Sequence, residues 1–101
     1  MSQPLRIQLL SISADLIKIA NLSKKDLKEN PILINRLILD IESYLNNFSS
    51  QAISRSLRLC LNKLAKDFWL IKLELVKEDS EWWAEKALTW ANILQHRAKL
   101  A

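Results

Sequence analysis

Apolar residues recur along this chain at intervals of three and four, separated by short polar breaks. Leu5, Leu9, Ile12, Leu16 and Ile19 fall at spacings of 4, 3, 4 and 3, which marks one face of a helix. This predicts a first helix over residues 4–21, with Leu10, Ala14 and Ile17 widening its apolar face and Gln8, Ser11, Asp15 and Lys18 on the remaining arc. Ser23-Lys24-Lys25-Asp26 resembles a capping box with Asp in place of Glu, and predicts a short helical turn near 24–29. Asn30-Pro31 reads as an N-cap followed by proline at the first helical position, where a missing N–H costs nothing. The second helix then spans 31–47, with Ile34, Leu37, Ile38, Ile41, Leu45 and Phe48 as its stripe.

Asn46-Asn47-Phe48-Ser49-Ser50 is the clearest break in mid-chain. Asn tolerates the left-handed conformation that ends helices, and either serine can cap the next one. The third helix is therefore expected over 50–77, carrying Ile53, Leu57, Cys60, Leu64, Phe68, Ile71 and Leu75, flanked by Leu61 and Ala65. A turn through Glu78, Asp79, Ser80 and Glu81, with Asp79 or Ser80 as the N-cap, separates it from a fourth helix over 80–100. That helix aligns Trp83, Ala87, Trp90, Leu94 and Ala98, with Glu81 and Glu85 near its start and Arg97 and Lys99 near its end, as the helix dipole favours. A turn at Asp79 folds helices three and four antiparallel, with Trp69 level with Trp90. The alternative is one continuous rod through Ser80, since neither glycine nor proline interrupts it.

Within the third helix, Asp67 to Val76 is apolar except for Asp67, Lys72 and Glu74. Phe68, Ile71 and Leu75 project to one side, and Trp69, Leu73 and Val76 toward another. A helix apolar on most of its circumference must be covered from more than one direction. The predicted architecture is a single all-α domain over residues 1–101, a four-helix bundle that associates with itself. Its expected contact surface is Leu59, Trp69, Leu70, Leu73, Val76 and Trp82.

Composition sharpens this picture at one point. The chain has no glycine, the residue that supplies positive φ and close backbone approach to ligands. That disfavours phosphate-cradling loops, dinucleotide fingerprints and the nucleophile elbow, and leaves the turns to Asn, Ser, Asp and Lys. No stretch reaches the ~20 apolar residues that span a bilayer, so membrane insertion is not expected. A basic face joined to an aromatic apolar one, the mark of a helix lying on a membrane, is likewise not read in any helix. Cys60 is the one cysteine, and with no secretory leader in the opening residues the expected location is the reducing cytoplasm.

Fifteen basic and eleven acidic residues give a net charge of +4, and their distribution is uneven. From Gln51 to Lys72 five basic residues face one acid; from Leu73 to Glu85 one basic residue faces five acids. Arg55, Arg58, Lys63 and Lys66 are therefore candidate phosphate contacts for a small regulatory nucleic-acid-binding protein. Against that reading, no aromatic residue is interleaved with them, as single-strand binding requires. His96, with Asn92 and Ile93 upstream, does not form the Glu-x-x-His pair of a di-metal bundle. Cys60 lies on the buried stripe, where a thiol acts as a small hydrophobe. No catalytic, cofactor-binding or metal-ligating constellation emerges. The expected role is non-enzymatic, exercised through contact with a second copy or another protein, with nucleic-acid binding as the alternative.

Overall fold

The computed structural model describes residues 3–22, 28–48, 51–75 and 82–99. They form four helices: α1 (Gln3–Ala20), α2 (Pro31–Asn47), α3 (Arg55–Leu75) and α4 (Trp82–Lys99). Lys28 and Glu29 are also helical. The proposed caps at Ser23, Ser49, Ser50, Asp79 and Ser80, the turn through Glu78, and Val76 lie outside the described residues.

Each stripe read from the spacing faces a common core. Leu5, Leu9, Ile12, Leu16 and Ile19 of α1 are buried against Ile34, Leu37 and Ile41 of α2 and Phe48 beyond it. Leu57, Leu61, Leu64, Phe68, Ile71 and Leu75 of α3 and Trp83, Ala87, Trp90, Ala91, Leu94 and Ala98 of α4 complete it. Leu10 and Ala14 do not widen the α1 face as expected; both are exposed. Ser13 is buried in their place.

Side-chain contacts fix the directions of the helices. Trp90 Nε1 donates to Asp67 Oδ2 at 2.8 Å and Arg97 Nη1 donates to Ser56 Oγ at 3.1 Å. As the position rises on α4 it falls on α3, so the two run antiparallel. Gln51 Nε2 donates to Gln8 Oε1 at 2.9 Å, which places the starts of α1 and α3 at the same end. The topology is up-down-up-down, with α1 between α2 and α4. An unbroken helix from Arg55 to Lys99 measures about 66 Å at 1.5 Å per residue. The molecule is 39 Å long, so the continuous rod is excluded.

α3 starts at Arg55, five residues later than the sequence reading placed it. Residues 52–54 are irregular, and Ser54 closes them off. Its hydroxyl accepts from the Leu57 N–H at 3.2 Å and its carbonyl accepts from the Arg58 N–H at 2.9 Å. Those are the bonds of an N-cap residue. At α2, Asn30 and Pro31 occupy the expected cap and first positions, but the Asn30 side chain makes no capping bond. There the preset φ of proline starts the helix.

α1 packs most extensively on α4, and α2 packs least on α3. Small residues explain the first: Ala87, Ala91 and Ala98 are almost fully buried on α4 and let the helix axes approach. Ser13 Oγ donates to the Ala91 carbonyl at 2.9 Å, so the single buried hydroxyl in the seam is satisfied across it. At the α1–α2 seam, burial raises the Asp15 carboxyl above its ordinary pKa; Lys18 at 3.9 Å opposes the rise and Asp40 across the seam adds to it.

Two outcomes test this packing. Ala91→Leu inserts three heavy atoms into a seam without space and costs about 1–3 kcal/mol, measured by urea unfolding. Asp15 is held protonated more readily in the folded state than in the unfolded one, so its charge opposes folding at neutral pH and that penalty fades as pH falls through the raised pKa. Asp15→Asn is therefore more stable than the parent at pH 7, and the gap narrows in acid. A gap that grows in acid contradicts the assignment.

Candidate interaction surface

The described residues of this run, Asp67 to Leu75, divide as a ring of four helices requires. Phe68, Ile71 and Leu75 point into the core and are covered. On the opposite side Trp69 remains 59% exposed, Leu70 42% and Leu73 44%, and Leu59 further back on the same face is 59% exposed. Positions 59, 66, 70 and 73 are spaced by 7, 4 and 3, so they share one outward arc. Lys63 and Lys66 stand among them, both exposed. Four of the six surface residues expected from sequence thus lie on one face of α3.

Trp82 belongs elsewhere. It sits at the start of α4, exposed, with the Lys86 ammonium 5.6 Å from its ring centroid. This is a cation–π distance, and it ties the ring to its own helix. The other two tryptophans are core residues: Trp90 is anchored to Asp67, and the buried Trp83 Nε1 meets no acceptor among the described residues.

Trp69 also rims a groove between α2 and α3, the least tightly packed pair. A cavity of about 250 Å³ there is lined by Glu42, Leu45, Asn46, Ala65, Phe68, Trp69 and Lys72. A smaller one of about 80 Å³ continues past Leu45 and Ala65 to Phe48, Ile53 and Arg58. Ala65, read from the spacing as a flank of the core stripe, is exposed here instead. The Lys72 ammonium and the Glu42 carboxylate pair across one end of the groove. Both are about a third exposed, so the pair contributes at most about 1 kcal/mol and serves to hold α2 and α3 in register.

The four candidate phosphate contacts do not form one stripe. Arg58 Nη2 donates to the Gln51 carbonyl at 2.8 Å, on the α2 side of the helix. Lys66 is on the outward arc with Leu70. Arg55 and Lys63 line a different groove, between α3 and α4, where Arg97 joins them. Arg97 was read from sequence only as a cation at the end of the fourth helix, not as a phosphate contact; the antiparallel register brings it to Ser56. Trp69 follows Lys66 by three positions, so an aromatic and a cation do share the outward face, which the linear reading had kept apart.

Among the described residues no cluster of three or more His, Cys, Asp or Glu side chains is positioned to hold a metal ion, and no helix is long and apolar enough to cross a membrane. Cys60 is half-buried beside Arg97 rather than deep in the core.

The two sides of α3 are expected to respond differently to truncation. Phe68→Ala removes a fully packed ring and costs about 3–5 kcal/mol. Trp69→Ala, one residue on, costs under about 1 kcal/mol. Denaturant midpoints of the two variants measure this, and equal losses contradict the outward placement of Trp69. Comparison with protein-family models, curated proteins and solved structures found no match, so the reading of this surface rests on its own geometry.

Proposed function

We propose that this chain acts through protein–protein contact, as an assembly or adaptor module, and that the outward face of α3 is the contact surface. The observation that supports it is the exposure of Leu59, Trp69, Leu70 and Leu73 on a helix whose other side is already buried. Single exposed leucines are common. Three leucines and a tryptophan on one arc form a patch of the kind that marks interaction sites, and tryptophan is enriched where binding energy concentrates.

The partner that fits is a second copy of the chain. A two-fold pairing places the same patch on both sides. Antiparallel α3 helices with Leu70 at the axis bring Leu73 over the stem of Lys66 and set the Lys66 ammonium level with Glu74 of the other copy. A register centred on Lys66 instead opposes two ammonium groups, which disfavours it. In this register Trp69, Leu70 and Leu73 of each copy are buried while Leu59 lies beyond the overlap, and burying three large side chains per copy supports a dimer with Kd on the order of 10 µM.

Light scattering on size-exclusion fractions tests this. The parent forms a concentration-dependent dimer, and Leu70→Asp is a folded monomer. Lys66→Glu weakens the dimer by roughly tenfold, and adding Glu74→Lys restores it. A monomeric parent at high micromolar concentration removes the self-association reading. A dimer indifferent to Leu70→Asp places the interface elsewhere.

A further inference from the structure

At the end of the bundle where α3 begins and α4 finishes, an open groove of about 520 Å³ is lined by Arg55, Ser56, Leu59, Cys60, Lys63 and Arg97. Three of these six side chains are cationic and none is acidic. Among the described residues, neither Arg55 nor Lys63 has a carboxylate partner. The nearest acid along α3, Asp67, lies one turn beyond Lys63 and accepts a hydrogen bond from Trp90 Nε1. The first turn of α3 and the last turns of α4 lie side by side, so their opposed dipoles largely offset each other. The positive character of the groove comes from its side chains.

From this arrangement we infer that the groove binds the phosphate group of a small organic phosphate. Arg97 contributes one of its five N–H donors to Ser56 Oγ and keeps the others for a ligand. Ser56, acting as acceptor in that bond, retains its own O–H to donate. The guanidinium groups of Arg97 and Arg55, the Lys63 ammonium and the Ser56 hydroxyl thus offer donors from both helices. A tetrahedral oxyanion with several acceptor oxygens uses such a set more fully than a carboxylate does. Leu59 and Cys60 add an apolar floor, so a phosphate carrying an organic group gains contact that inorganic phosphate does not. The volume suits one mononucleotide-sized molecule. It does not suit an extended strand, because the cationic track is short: Arg58 turns away to Gln51, and Lys66 stands on the outward arc. Self-association is not required for this site.

Cys60 supplies a direct readout, being the one thiol in the chain and part of the lining. The rate at which an uncharged maleimide labels it is measured at low salt with adenosine monophosphate, inorganic phosphate or a single-stranded dodecanucleotide. Millimolar adenosine monophosphate slows labelling, inorganic phosphate does so more weakly, and added salt abolishes the protection as charges are screened. Arg97→Gln and Lys63→Gln each weaken protection by roughly tenfold, while circular dichroism shows both folded. Arg36→Gln, which removes the same charge from the exposed surface of α2, leaves protection intact, as does the Leu70→Asp variant. The inference is overturned if neither phosphate compound protects Cys60 at millimolar concentration. It is equally overturned if protection survives both groove substitutions or falls to the same extent with Arg36→Gln. Protection by the dodecanucleotide at about a hundredfold lower concentration than the mononucleotide replaces it with a nucleic-acid site.

Discussion

In a ring of four helices every member has an inward arc that three neighbours can cover and an outward arc that none can reach. Most sequences place polar residues on the second arc. α3 does not: Phe68, Ile71 and Leu75 fill its inward side, while Leu59, Trp69, Leu70 and Leu73 occupy the outward one. Among the described residues no further element lies across them. The apolar run is consequently covered on one side only, and the proposed protein–protein contact depends on this constraint.

The packing inside the ring is uneven, and that unevenness places the grooves. Ala87, Ala91 and Ala98 allow α1 close to α4, where Ser13 bonds to the Ala91 carbonyl. The opposite seam, α2 against α3, has no comparable run of buried alanines and leaves cavities beneath Trp69 and beside Ala65. The α3–α4 pair lies between these extremes. It is set by Asp67 and Trp90 at mid-height and by Ser56 and Arg97 at one end, and beside that last contact the cationic groove opens.

Much of this was legible in the residues and some was not. Spacing alone identified all four helices and nearly every buried side chain, because a 3.6-residue period leaves little freedom over five turns. It could not give the width of a buried face, which depends on where neighbours sit; hence Leu10, Ala14 and Ala65 are exposed and Ser13 is buried. The start of α3 was misplaced because Ser49, Ser50 and Ser54 are equally good caps by type, and only the bond from the Leu57 N–H selects Ser54. Trp69, Leu70, Leu73 and Leu59 were found because an all-round apolar helix is visible in one dimension. The place of Arg97 beside Ser56 and Lys63 was missed because those residues lie more than thirty positions away, and register between helices has no local signal.

The claim that α3 presents an apolar face awaiting cover is measured most directly on Trp69 itself. Hydroxyl-radical footprinting read by mass spectrometry, carried out over a range of protein concentrations, reports the accessibility of each tryptophan. Trp83 and Trp90 should stay protected throughout, while Trp69 is oxidised readily in dilute protein and becomes protected as concentration rises. Oxidation of Trp69 at an unchanged rate across that range contradicts the account.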